Sequence, residues 1–175
     1  MKSTRIFTTC AMLTALYVVL GMCASLNLGN MKITLDALPI IIAALYLGPI
    51  EGMIVGLTGS FFLQLLQYGL SPTTLLWILP AGTRGLLVGM FQYEIKKYPE
   101  MLKWVIVGSS LVITGLNTVI MAIDSIIYGY YSHAYVFGAL LWRISAGIVS
   151  SIIYAIIVPR ILKRMRINDI WKGYK

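Results

Sequence analysis

Residues Leu75–Gly89 read LLWILPAGTRGLLVG. The run is apolar enough to cross a membrane, yet Arg84 stands near its middle. An arginine at the bilayer centre costs roughly 2.5–3.5 kcal/mol on insertion scales. Such a side chain has to face protein, water or a bound anion, so the segment predicts a helix inside a bundle rather than a lone anchor.

The rest of the chain has the same character. It has 175 residues, 59% hydrophobic and 11% charged, with a mean hydropathy of +0.85. A water-soluble domain of that length needs far more polar surface, so the composition is that of an integral membrane protein. A crossing takes about 20 mostly apolar residues. Six candidate spans follow: Thr4–Leu26, Ala37–Gly48, Ile50–Gly69, Thr73–Tyr93, Trp104–Gly129 and Tyr135–Leu162. The expected fold is an all-α, six-helix transmembrane bundle forming one domain over 1–175. The second span is too short to cross straight and runs into Gly48-Pro49, so it is bent or continuous with the third. Lys2 and Arg5 ahead of the first span resemble a signal peptide, but the apolar run exceeds the usual core of roughly 7–15 residues, which predicts an uncleaved helix.

Charge sets the orientation. With the N-terminus in the cytoplasm, inner segments hold Lys2, Arg5, Lys96, Lys97, Lys103, Arg160, Lys163, Arg164, Arg166, Lys172 and Lys175, against Lys32 alone outside. That eleven-to-one bias is a positive-inside pattern and puts both termini in the cytoplasm. The net charge of +8 is thus a topology signal and not a nucleic-acid surface. The tail RILKRMRINDIWKGYK is placed to rest on anionic headgroups. Cys10 and Cys23, thirteen residues apart on one helix, are separated by about 20 Å and cannot bridge. No metal or redox spacing occurs.

The loop LNLGNMKITLD (Leu26–Asp36) is long for a connection between spans, with Asn27, Gly29 and Asn30 suited to turns and Asp36 placed to cap the second helix. Gly52, Gly56, Gly59 and Ser60 on the third helix predict close backbone packing.

Polar groups inside the spans mark the candidate site. Gln64, Gln67, Asp124 and Arg143 fall in the outer third, and Arg84 and Asn117 near the midplane. None reaches the cytoplasmic half. Trp77 and Arg84 share a face of the fourth helix; Asn117, Met121, Asp124 and Tyr128 share one of the fifth; Trp142 lies near Arg143 on the sixth. With Tyr68, Tyr130, Tyr131 and Tyr135, these faces predict an outward-opening polar and aromatic pocket. The loop tyrosines suit an interfacial belt equally well, whereas Trp77 and Trp142 are expected in the pocket. The bland alternative is a buried ion pair of Asp124 with Arg84 or Arg143. Pairing leaves one arginine unmatched, and an unmatched guanidinium can hold an anion bidentately; Arg84 is the one expected to meet a ligand. His133 reads as a solvated or loop-packing residue. Proton or cation coupling needs ionisable chains through the span, which are missing, as are GxSxG and HExxH, so a self-sufficient transporter and an enzyme are both disfavoured.

From Thr4 to about Arg166 the chain resembles the substrate-binding S components of energy-coupling-factor (ECF) vitamin transporters. The likeness rests on size, six helices, a basic C-terminus, the first-helix motif AMLTA (Ala11–Ala15), LPIIIAALYLGPIEGMIVGLTGS (Leu38–Ser60) and SPTTLLWILPAGTRGLLVG (Ser71–Gly89), the last two most like the folate-type branch. The resemblance implies a multi-pass protein of a prokaryotic cell membrane. It would bind a vitamin with high affinity, dock through Ala11 and Ala15 onto a transmembrane T subunit with two ATPases, and topple to deliver the vitamin. ATP would be used by those partners, leaving this chain without a cofactor. The loop between the first two helices would gate the pocket. A folate suits the candidates: its amino-amidine edge matches Asp124, its rings stack on Trp77 and Trp142, and its two carboxylates suit Arg84, Arg143 or Lys32. Other expectations are an S component for another vitamin or nucleobase-like substrate, and a structural membrane protein whose charges merely pair.

Overall fold

The computed structural model describes residues 2–28, 31–138 and 140–164. Helix α1 (Lys2–Cys23) leads into an antiparallel hairpin of β1 (Ser25–Leu28) and β2 (Met31–Thr34). Then come α2 (Ala37–Tyr46), α3 (Pro49–Tyr68), α4 (Thr74–Met90) and the short α5 (Gln92–Lys97). Helix α6 (Met101–Ile127), short α7 (His133–Gly138) and α8 (Leu140–Arg164) complete the described chain. Among the described residues, four stretches are long and apolar enough to cross a membrane: Thr4–Cys23, Pro49–Tyr68, Met101–Ile127 and His133–Leu162, the last taking in α7 and most of α8. The other two expected spans are apolar helices of 10 and 17 residues, α2 and α4.

Helix α2 is not continuous with α3. Gly48 takes φ 141°, a conformation open to glycine, and Pro49 starts the new helix where its missing N–H costs nothing. The carbonyl of Leu45 at the end of α2 accepts from Gln92 Nε2 at 2.9 Å. All nine residues Ala37–Leu45 are buried, as a helix apolar on every side has to be. The segment is short because it is a central strut. Asp36 occupies the N-cap position, but its backbone is helical (φ −62°, ψ −29°) and its side chain makes no cap bond. A capping carboxylate needs an extended backbone to reach the first free N–H groups.

The long loop of the sequence reading is instead largely a hairpin, with Ser25 opposite Thr34 and Leu28 opposite Met31. Its signal was two alternating runs, SLNL and MKIT, separated by Gly-Asn. The turn residues Gly29 and Asn30, and Arg166, Lys172 and Lys175 of the basic tail, lie outside the described residues.

Glycine decides how α3 and α4 meet. A Cβ on Gly85 would run into the carbonyl of Gly52, one on Gly56 into that of Ala81, and one on Gly89 into the backbone of Pro49. Gly52 also lies against Ala44 of α2, and Gly59 against the ring of Tyr17 in α1. Lipid is as apolar as a leucine side chain, so close backbone approach is what holds such helices together. One core joins Ile41 and Leu45 to Val88, Ile106, Tyr154 and Val158, and a second joins Tyr17, Ile40, Val55 and Leu63. Outward-facing residues such as Phe7, Met12 and Trp104 stay exposed, as lipid contact demands.

Candidate substrate site

A cavity of about 260 Å³ opens at the end of the bundle where α3 finishes and α2 and α4 begin. Helical spacing builds its walls. Ser60, Leu63, Gln64 and Gln67 line it from α3, and Trp77, Pro80, Ala81 and Arg84 from α4. Both sets step by three, one and three residues, which keeps them on one helix face. Ile113 and Asn117 of α6 add a third wall, one turn apart. Tyr17 of α1, Asp36 and the first turn of α2, and Tyr68 at the end of α3 complete it.

Most of the wall groups are already engaged. Ser60 Oγ donates to the carbonyl of Trp77 at 3.5 Å, and Gln67 Nε2 donates to the carbonyl of Gly21 at 3.4 Å. Arg84 differs, because its buried Nε has no hydrogen-bond partner. A buried donor left unmatched costs about 1–3 kcal/mol, more when charged, and this one borders an open cavity.

Among the described residues, Asp124 does not pair with an arginine. Its Oδ1 accepts from Trp77 Nε1 at 3.2 Å and its Oδ2 from the Tyr130 hydroxyl at 2.7 Å. The ion pair that the sequence offered as the bland alternative is therefore replaced by neutral donors, which satisfy a carboxylate without burying a second charge. Arg143 instead donates through Nη2 to Met121 Sδ, a weak acceptor.

The cavity thus brings together six of the residues singled out in the sequence: Arg84, Trp77, Asn117, Gln64, Gln67 and Tyr68. Asp124, Arg143 and Trp142 are not on its wall. Trp142 is 55% exposed. The packed stripe of α8 is fixed by Ser151, Tyr154 and Val158, and Trp142 falls well off that stripe by helical period. Lys32, expected to meet an anionic tail, stands in β2 opposite Asn27, and its side chain lies outside the described residues. Tyr17, Asp36 and Ser60 went unrecognised as wall residues. Tyr17 carried no signal beyond a polar tip on an apolar helix, and Ser60 was read only as packing. The loop aromatics form their own cluster: Tyr128 stacks on Tyr130 at 6.4 Å, and Tyr135 meets Tyr130 edge-on at 5.3 Å. His133 packs between Tyr131 and Phe137. No group of histidine, cysteine or carboxylate side chains able to hold a metal occurs among the described residues.

The apolar counterpart is a groove of about 640 Å³ between α1 and α3. Ala11, Thr14, Ala15 and Val18 line one side, and Ile54, Thr58 and Phe62 the other. Thr14 and Thr58 share a hydroxyl hydrogen bond at 3.2 Å across its floor.

The model of the family described as "ECF-type riboflavin transporter, S component" matches residues 1–166. The chain belongs to that family. An S component is the substrate-binding subunit of an ECF vitamin importer, which works with a T subunit and ATPases, so this chain is a membrane transport subunit and not an enzyme. A solved structure titled "Structure and mechanism of the S component of a bacterial ECF transporter" has the same fold, with a TM-score of 0.67 at 20% identity over 94% of this chain and 99% of that one. A comparison with curated proteins found no match.

Proposed function

We propose that this S component captures a vitamin built on a pteridine ring, and that the cavity beside Arg84 is where the ring lies. The carrying observation is the buried, unmatched Nε of Arg84. One edge of a pteridine presents a carbonyl oxygen and a ring nitrogen side by side, two acceptors that a planar guanidinium can meet with parallel N–H groups. Trp77 supplies a flat face for stacking. A cavity of about 260 Å³ sits just below the usual ligand-pocket range of roughly 300–1,000 Å³, so it takes the ring while the tail points to the mouth.

Riboflavin and folate both contain that ring and differ at the opposite edge. Flavin offers an imide, which carboxamides complement, and Gln64, Gln67 and Asn117 are all on the wall. Pterin offers an amino-amidine, which needs a carboxylate. Asp124 lies off the wall and accepts from Trp77 and Tyr130, and the carboxylate on the wall is Asp36. Riboflavin is thus the first reading, in keeping with the family's description, and folate the second. The hairpin is proposed as the lid, because it leads directly into Asp36 and Ala37 at the cavity. Ala11 and Ala15 are proposed as the seat of the T subunit, the partner in turn of two ATPases.

Titrating purified protein with riboflavin and with folate, following flavin and tryptophan fluorescence, tests the reading. Saturable quenching by riboflavin that Arg84→Ala weakens supports it. Folate binding without riboflavin binding moves the assignment to the second reading, and binding of neither removes the pteridine class.

A further inference from the structure

Asp124 is only 8% exposed, lies off the cavity wall and is held by two neutral donors from separate parts of the chain. Trp77 reaches it from the first turn of α4. Tyr130 reaches it from beyond the end of α6, and the local backbone explains how. Helix α6 closes with Gly129 at φ 76°, its N–H on the carbonyl of Ile126 and the N–H of Tyr130 on that of Ser125 at 3.0 Å. That paired arrangement is a Schellman turn, which needs the left-handed glycine and folds the chain back on the helix. It returns the Tyr130 ring to the level of Asp124, one turn inside α6. A single carboxylate thereby joins the aromatic turn after α6 to the tryptophan of the cavity wall.

We infer that Asp124 is a positioning residue: it fixes the indole of Trp77 as a wall of the cavity, ties that wall to the turn carrying Tyr130, and does not itself touch the vitamin. This rests on the cavity being the vitamin site. An indole held at its N–H keeps one ring plane, so the stacking surface exists before the ligand arrives, and binding need not order it. The residue is specific for the task. A carboxylate accepts several N–H and O–H bonds at once, whereas a carboxamide offers one accepting oxygen.

The test uses the full chain, with riboflavin as probe, and compares Asp124→Asn and Asp124→Leu alone and combined with Trp77→Phe. Two readouts are taken: riboflavin affinity, and, without ligand, the vibrational band of the Trp77 indole that reports its N–H bonding, obtained by difference against Trp77→Phe. The expected result is a loss of about tenfold or more for Asp124→Leu, equivalent to about 1.4 kcal/mol. Asp124→Asn, which keeps an acceptor, retains most of the affinity, and neither change weakens binding further once Trp77 is phenylalanine. The indole band moves to the unbonded position in Asp124→Leu and partway in Asp124→Asn. Equal losses for both variants that persist without Trp77 overturn the inference, because Asp124 then contacts the vitamin. An indole band that neither variant shifts overturns it too. Should Asp124→Leu fail to fold, Asp124→Asn decides by the band alone. If wild-type protein binds neither riboflavin nor folate, the substrate reading falls, while the ligand-free band still judges the positioning role.

Discussion

The polar cavity and the apolar groove share two helices, α1 and α3, which turn different faces to each. Along α3, Ser60, Leu63, Gln64 and Gln67 face the cavity, while Ile54, Thr58 and Phe62 face the groove. Along α1, Tyr17 turns inward and Ala11 and Ala15 outward. The difference lies in what a membrane tolerates on each side. Carboxamides, a carboxylate and a guanidinium cannot face lipid, so helices must enclose them, and the enclosed space becomes a site. The groove meets lipid at no cost. What sets it apart is shape, because two alanines one turn apart leave room for a close neighbour.

Breaking the shared wall is expected to destroy both regions. Gly85→Val pushes a branched side chain into the Gly52 carbonyl of α3. Overpacking costs about 3 kcal/mol or more where backbone has to move. Folded protein in detergent, measured by size-exclusion profile and melting, should be largely lost, taking riboflavin binding and complex formation with it. A variant as stable as wild type would mean that the contact between α3 and α4 does not govern the fold.

Ala15→Leu should separate the two regions. It fills the groove and leaves the cavity intact, so co-purification with the T subunit and ATPases should fall to background while riboflavin affinity of the isolated chain is unchanged. An undiminished complex with both Ala11→Leu and Ala15→Leu would remove the groove from docking.

Arg84→Ala is the reverse experiment. Loss of one charge-assisted bond, at roughly 1.5–3 kcal/mol, predicts an affinity about ten- to a hundredfold weaker. Complex formation should persist, and stability should hold or rise, because the variant removes a buried donor that has no partner. Unchanged affinity in folded protein would dissociate Arg84 from the ligand.

The smallest effect concerns Tyr130, in the turn beyond α6. The hydrogen bond it donates to Asp124 raises its hydroxyl pKa above the ordinary tyrosine value of 10.0, with burial adding to the shift. A raised folded value means that the bond stabilises fully below the unfolded pKa and is lost only as pH rises through the folded one. Riboflavin affinity should therefore stay level from neutral pH through the ordinary tyrosine value of 10.0 and decline only well above it, where the raised hydroxyl ionises. Tyr130→Phe should cost a few-fold at neutral pH and remove the late step from a tyrosinate absorbance titration. A Tyr130 that ionises as early as a free tyrosine would show that the latch is not formed.

How much of this was legible in the sequence depends on the range of the interactions involved. Apolar length and the break at Gly48-Pro49 mark helices and their limits, because each helix satisfies its backbone internally. The spacing of Trp77 and Arg84 placed them on one face, since a helix imposes that period whatever surrounds it. Small residues on α3 announced close packing without naming the neighbour. The partners of the charges were not legible. Asp124 had two arginines within reach of any ion-pair argument, and the fold gave it Trp77 and Tyr130. That outcome depends on a Schellman turn at Gly129 and on the rotation of α4 against α6, neither of which is written in local periodicity. Trp142 likewise shared its surroundings in sequence with Arg143 but faces outward, because the rotation of α8 is set by the fit of Tyr154 and Val158 against α2, α4 and α6. Sequence alone determined that polar groups would gather at one end of an apolar bundle, since hydrocarbon excludes them. Which of them face an open space, and which merely hold the wall, was decided by helix rotation, a tertiary property fixed by packing at the glycine contacts.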